Sequence, residues 1–132
     1  MARYVRRPRH SFASKLRWAL GGVAWGVRTQ SNFVIHLAVA AAVVAAGIAL
    51  RVTLVEWCVL ALCTAVVLAA ELFNTAIEHL ARAITHEHQE EIRHALDTSA
   101  AAVLMTSAGA AMVGAAIFVH RLGLLLEWWP GA

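Results

Sequence analysis

Apolar positions run almost without interruption through three stretches of the chain, and polar positions are concentrated before and between them. Phe33 to Leu50 carries no Asp, Glu, Lys or Arg; Trp57 to Ala70 is uncharged and continues past Glu71 with an apolar helical pattern; Thr98 to Val119 is uncharged throughout. A hydrocarbon core about 30 Å thick takes roughly 20 helical residues at about 1.5 Å rise each. The third run is long enough to cross unaided, and the first two do so with their flanks. The pattern predicts an all-α integral membrane fold with three transmembrane helices, over 32–50, 54–84 and 98–120. The Arg51-Val52-Thr53 connection is short enough to make the first two an antiparallel hairpin. The second helix is longer than a bilayer is thick, so its C-terminal turns are expected to emerge, followed by a polar loop over 85–97 and, after the third span, a tail over 121–132. Asp97, Thr98 or Ser99 is the expected cap of that third span.

A different pattern precedes the spans. From 11 to 29 the apolar residues Phe12, Leu16, Leu20, Val23 and Val27 recur at spacings of three and four, with Lys15, Arg17 and Arg28 mostly off that stripe. This predicts an amphipathic helix lying in the membrane interface, with Trp18 and Trp25 at headgroup level. Residues 1–10 form a basic tail. The third span is crowded with Ala, Gly and Ser, which let helix backbones approach closely and place it at a bundle centre or a subunit interface. Three spans bury little area, so oligomerisation is expected.

Composition agrees: of 132 residues, 61% are apolar and 14% charged, too few charges to solvate a globular surface of this size. Seven of the eleven Lys and Arg residues precede the first span, and Arg82 and Arg93 lie between the second and third. The positive-inside bias therefore puts the N-terminus and the second loop in the cytoplasm. Basic residues spread this far do not make a secretory signal. The net charge of +3 reads as attraction to anionic lipid heads and not to nucleic acid, because no aromatic-basic binding module accompanies it. Cys58 and Cys63 lie inside an apolar run and read as buried thiols.

The polar residues to explain are on the second helix. Successive helical residues turn by about 100°, so Glu71, Asn74, Thr75 and Glu78 share one face. A carboxylate there needs a cation, a donor or water; magnesium would satisfy Glu78 and attract nucleotide phosphates. A carboxylate without such company can take a proton from a hydroxyl. The alternative is a stripe that only pairs helices. For His86, Glu90 and His94 a solvated face is preferred to a metal patch, and His36 reads as an interfacial or inter-helix hydrogen-bonding residue.

The run Glu71-Leu-Phe-Asn74-Thr75-Ala-Ile-Glu78 resembles the signature of the prokaryotic diacylglycerol kinase family, which includes the undecaprenol kinases. Ala19 and Gly22, Asn32-Phe33 with Ile35-His36, and Ala95, Asp97 and Ala101 to Leu104 agree with it in register over roughly 12–120. The resemblance implies a multi-pass homotrimer of the bacterial inner membrane, with sites between subunits at the cytoplasmic surface and transfer of the ATP γ-phosphate to the hydroxyl of diacylglycerol or undecaprenol. It implies Glu71 as base, Asn74 as a supporting residue, Glu78 as a magnesium ligand with Gln30 at the second metal position, and Trp18, Gln30, Glu87, His88, Gln89 and Asp97 around the nucleotide. Gln30 replaces a metal-binding Glu of the family, Val34 an Arg, Leu96 a Lys, Arg82 an acid and Ala100 a Ser. Losing a ligand and a phosphate-facing cation weakens metal binding and transition-state stabilisation. These departures keep open a family-shaped protein that binds lipid or acts as a scaffold without phosphotransfer.

Overall fold

The computed structural model describes residues 11–84, 87 and 89–128, and among these the chain is four helices: α1 Phe12–Thr29, α2 Ser31–Ala49, α3 Leu54–Ile84 and α4 Glu90–Leu125. The last three are long and apolar enough to cross a membrane. The basic tail over 1–10, Thr85, His86, His88 and the end of the C-terminal tail lie outside the described residues.

Burial within the chain is inverted relative to a water-soluble domain. The buried apolar residues are Phe33, Val52, Leu60 and Val67, while Ile35, Ile48, Leu62, Leu104 and Met105 lie open on the outside. A surface this apolar is what a bilayer solvates. Two threonine hydroxyls inside the spans bond to their own helix: Thr64 Oγ1 donates to the Leu60 carbonyl at 2.9 Å, and Thr106 Oγ1 reaches the Ala102 and Val103 carbonyls. In hydrocarbon no water is available to do this.

Close approach explains the packing of the first three helices. Gly47 on α2 is buried against the Trp57 indole of α3, and a Cβ there would lie 2.6 Å from Trp57 Cη2. The α2–α3 corner closes through a Schellman arrangement: Val52 N–H donates to Gly47 O at 3.1 Å and Arg51 N–H to Ile48 O at 3.2 Å, with Arg51 at φ 52°. α1 lies against α2 and α3. Its Gly26 is buried, with room taken by Leu72 and the Phe33 ring, and Trp25 meets the His79 ring edge-on at a centroid distance of 4.4 Å.

α3 and α4 form the main antiparallel pair. At the end next to the α2–α3 corner, Arg121 grips Glu56 through Nε (2.8 and 3.0 Å) and Nη2 (2.6 Å). Thr53 N–H and Oγ1 also donate to Glu56 Oε2, at 2.6 and 2.7 Å. This ties the start of α3 to the end of α4, 65 positions apart.

The loop expected over 85–97 is corrected. α4 begins at Glu90, because Arg93 binds Glu90 Oε2 one turn back at 2.8 Å and Asp97 Oδ2 one turn on at 3.0 Å, a pairing that holds a polar helix together. Asp97, Thr98 and Ser99 are therefore interior to the helix and do not cap it. α4 also continues past 120 to Leu125, where Glu127 at φ 56° and the Trp128 N–H bond to Gly123 O end it.

Candidate functional site

The polar face of α3 is the buried polar centre of the molecule. Glu71 is 2% exposed, Thr75 3% and Asn74 7%, while Glu78, one turn further on, is half-buried. Their spacing puts them on one face as the helix turns, and α4 supplies the other wall. Ser99 Oγ on α4 donates to Asn74 Oδ1 at 2.7 Å, and Asn74 Nδ2 donates to Glu78 Oε1 at 3.0 Å. Arg82 Nη2 donates to the other oxygen, Glu78 Oε2, at 3.3 Å and lies 3.4 Å from His79 Nε2. A chain of hydrogen bonds therefore runs Ser99, Asn74, Glu78, Arg82.

Glu71 is not part of that chain. Its Oε2 is buried and has no hydrogen-bond partner, and the Thr75 hydroxyl beside it is likewise orphaned. A buried polar atom without a partner costs roughly 1–3 kcal/mol, so a site that keeps one invites a functional explanation. His36 of α2 approaches that oxygen, with Nε2 at 3.9 Å.

Two spaces flank this face. Towards the α2–α3 corner lies an apolar groove of about 260 Å³, walled by α2 from His36 to Val43, α3 from Leu60 to Leu68 and α4 from Ser107 to Phe118. Towards the other end lies a polar cavity of about 780 Å³, lined by Glu78, Arg82, Glu87, Gln89, Arg93 and Asp97 together with Leu96 and Ala100. Along α3 the groove ends at Leu68 and the polar cavity begins at Glu78, so Glu71 and Asn74 sit between the two.

Of the residues the sequence singled out, Glu78, Glu87, Gln89 and Asp97 are brought to one cavity, with Asp97 held by Arg93. Gln30 lies at the α1–α2 junction in extended backbone, and Trp18 lies on the exposed side of α1; neither lines that cavity. His88 is outside the described residues. Val34 is exposed on the outer face of α2, away from both spaces. Thr75 lies on the polar face that the spacing identifies, whereas Ser99 and His36 are site neighbours that sequence reasoning does not reach. A Ser in an Ala-rich helix and a His among aliphatics are weak signals until the register between helices is known.

A metal ion has limited protein ligands here. Among the described residues no three His, Cys, Asp or Glu side chains cluster to hold one. Magnesium held mainly by phosphates and water needs only one or two carboxylates. Glu78 fits as such a single ligand, provided Arg82 gives up Oε2.

Three bilayer-length helices, a shorter N-terminal helix and a carboxylate-amide face between an apolar groove and a polar cavity define a small polytopic membrane protein equipped to bring a lipid and a polar reactant together. The sequence model of prokaryotic diacylglycerol kinase matches residues 17–118, and the chain belongs to that family. It is 34% identical over 101 residues to the undecaprenol kinase of Bacillus subtilis (strain 168), covering 76% of this chain and 82% of that one. It is also 34% identical over 107 residues to the diacylglycerol kinase of Synechocystis sp. (strain ATCC 27184 / PCC 6803 / Kazusa), covering 80% of this chain and 61% of that longer protein. No solved structure matches the chain.

Proposed function

We propose that the chain is a lipid kinase that transfers the γ-phosphate of ATP to the hydroxyl of a membrane lipid, diacylglycerol or undecaprenol. The observation that carries the reading is Glu71: a carboxylate 2% exposed, with Oε2 free of any hydrogen-bond partner, at the point where the apolar groove gives way to the polar cavity. The groove takes the lipid chain and the polar cavity takes the nucleotide. Glu71 accepts the proton of the acceptor hydroxyl as its oxygen attacks the γ-phosphorus. Asn74 holds Glu78 in place, and Glu78 would hold magnesium as its single carboxylate ligand. Magnesium supplies charge neutralisation on the phosphates when bound. Arg82 and Arg93 contribute the remaining positive charge in the cavity.

The Lys and Arg distribution supports a bacterial inner-membrane protein with α1, the start of α2 and the α3–α4 connection on the cytoplasmic side. The Ala- and Gly-rich surface of α4 supports a homotrimer, in which two further copies cover faces that a single chain leaves open.

Purified protein in detergent, supplied with labelled ATP and each lipid in turn, tests the reading. Wild type transfers phosphate and Glu71→Gln loses about 100-fold or more in rate. Transfer by wild type no greater than by Glu71→Gln, together with transfer restored by Gln30→Glu and Leu96→Lys, would instead leave a lipid-binding or scaffolding protein.

A further inference from the structure

A base that takes a proton in each catalytic cycle must also lose it, and Glu71 is badly placed to lose one to water. It is 2% exposed on α3, and its Oε2 has no hydrogen-bonded acceptor to which the proton could be handed on. One titratable side chain does reach it. His36 Nε2 lies 3.9 Å from Glu71 Oε2, and His36 is 19% exposed. The gap is too long for a direct hydrogen bond and is short enough for one water, about 2.8 Å from each atom, to bridge. Among the described residues no Lys, Arg or other His approaches Glu71 within 4 Å.

The surroundings of His36 favour the same role. It lines the apolar groove, to which α3 contributes Cys63 and Thr64 and α4 contributes Ser107, none of them charged. Imidazole is the side chain that accepts and releases protons near neutral pH without help from a fixed charge. The sequence reading of His36 as an interfacial or inter-helix hydrogen-bonding residue leaves its 3.9 Å approach to an orphaned carboxylate oxygen, with no direct hydrogen bond, unexplained.

We propose that His36 is the proton relay that resets Glu71 after each phosphoryl transfer, an inference that rests on the lipid kinase reading above. In the transfer step the acceptor oxygen forms its bond to the γ-phosphorus, the bond from that phosphorus to the bridging oxygen breaks with its electron pair leaving on ADP, and the hydroxyl proton goes to Glu71. In the reset step the proton leaves the neutral Glu71 carboxyl for His36 Nε2 through one water that spans the 3.9 Å between them. The carboxylate is regenerated, and the imidazolium releases the proton to water. His36 acts through Glu71 and does not itself touch the phosphoryl group.

The reset step, unlike the transfer step, is needed only from the second turnover onward. Rapid-mixing kinetics on full-length protein in mixed micelles, with enzyme comparable to ATP and with lipid in excess, separates the two. His36→Gln and His36→Ala are expected to give a first turnover of wild-type rate and amplitude, then a steady state about 100-fold slower. Imidazole added to His36→Ala is expected to restore the steady state. Glu71→Gln is expected to lose both phases. A steady state of wild-type rate in both His36 variants overturns the relay, and so does a first turnover that slows in step with the steady state, which is the mark of a structural role. Both phases surviving in Glu71→Gln overturns the base assignment itself, a failure distinguishable from failure of the relay.

Discussion

Ser99 and Asn74, 25 positions apart, meet through a 2.7 Å hydrogen bond that joins α4 to the polar face of α3. The Ser99 hydroxyl is shared with the Leu96 carbonyl at 2.9 Å, and Asn74 spends its own amide on Glu78. Ser99→Ala removes the donor and leaves Asn74 Oδ1 buried and unpaired. It is expected to destabilise the protein by about 1–3 kcal/mol. Thermal unfolding in detergent measures that. Because Asn74 then loses its anchor to α4, phosphotransfer is expected to fall further than stability does under conditions where the variant is fully folded. Ser99→Thr keeps the hydroxyl and is expected to retain most of both.

Gly47 and Trp57 make a contact that no other residue type at 47 permits without movement. A Cβ at 47 would lie 2.6 Å from Cη2 and 2.9 Å from Cζ2 of a rigid indole. Gly47→Ala is expected to cost about 1–3 kcal/mol by overpacking. Trp57→Leu introduced into Gly47→Ala is expected to recover part of the loss relative to its effect in wild type. A double-mutant cycle on the melting transition checks this, and additive effects would mean that the two residues are not in contact.

Arg51 adopts φ 52° at the turn between α2 and α3, where the left-handed conformation costs an L-residue about 1–2 kcal/mol. Its backbone N–H is already used in the Schellman arrangement, which any residue can make. Arg51→Gly relieves the strain and is expected to raise stability by about 1 kcal/mol with activity unchanged. Arg51→Val is expected to move the melting temperature the other way.

Helix number and type are legible in the sequence because bilayer thickness sets a length, and uncharged runs of that length stand out. The start of α4 is not, for a physical reason: between Glu90 and Asp97 only Ile92, Ala95 and Leu96 are apolar, a stripe of about one turn that is too short for a bilayer-length run to reveal. The helix is held instead by Arg93 with Glu90 and Asp97, a three- and four-residue spacing that could have been read as a helical signal. The polar face of α3 is legible from spacing within one helix. What spacing cannot reach is the register between helices, which alone brings Ser99 to Asn74 and His36 to Glu71. Nor does it show Arg82 already lying against Glu78, since an i, i+4 pair in sequence need not close.

That last pair decides how the site meets its metal and its nucleotide. The Arg82 side chain is 60% exposed, and its bond to Glu78 Oε2 is 3.3 Å long. Exposed pairs of this kind contribute only about 0.2–1 kcal/mol, so a divalent ion displaces the guanidinium at little cost, and the displaced group stays in the polar cavity. Arg82→Gln therefore acts with opposite signs on the two ligands. Freed from its competitor, Glu78 is expected to reach half-maximal activity at about two- to fivefold lower magnesium. The cavity meanwhile keeps Arg93 but loses a phosphate-facing cation, one that Leu96 does not replace, so KM for ATP is expected to rise severalfold. Leu96→Lys in the Arg82→Gln background is expected to return KM towards wild type while leaving the magnesium requirement low. Steady-state titrations of magnesium at saturating ATP, and of ATP at saturating magnesium, measure the two effects separately. If both parameters move in the same direction, Arg82 is not divided between Glu78 and the phosphates.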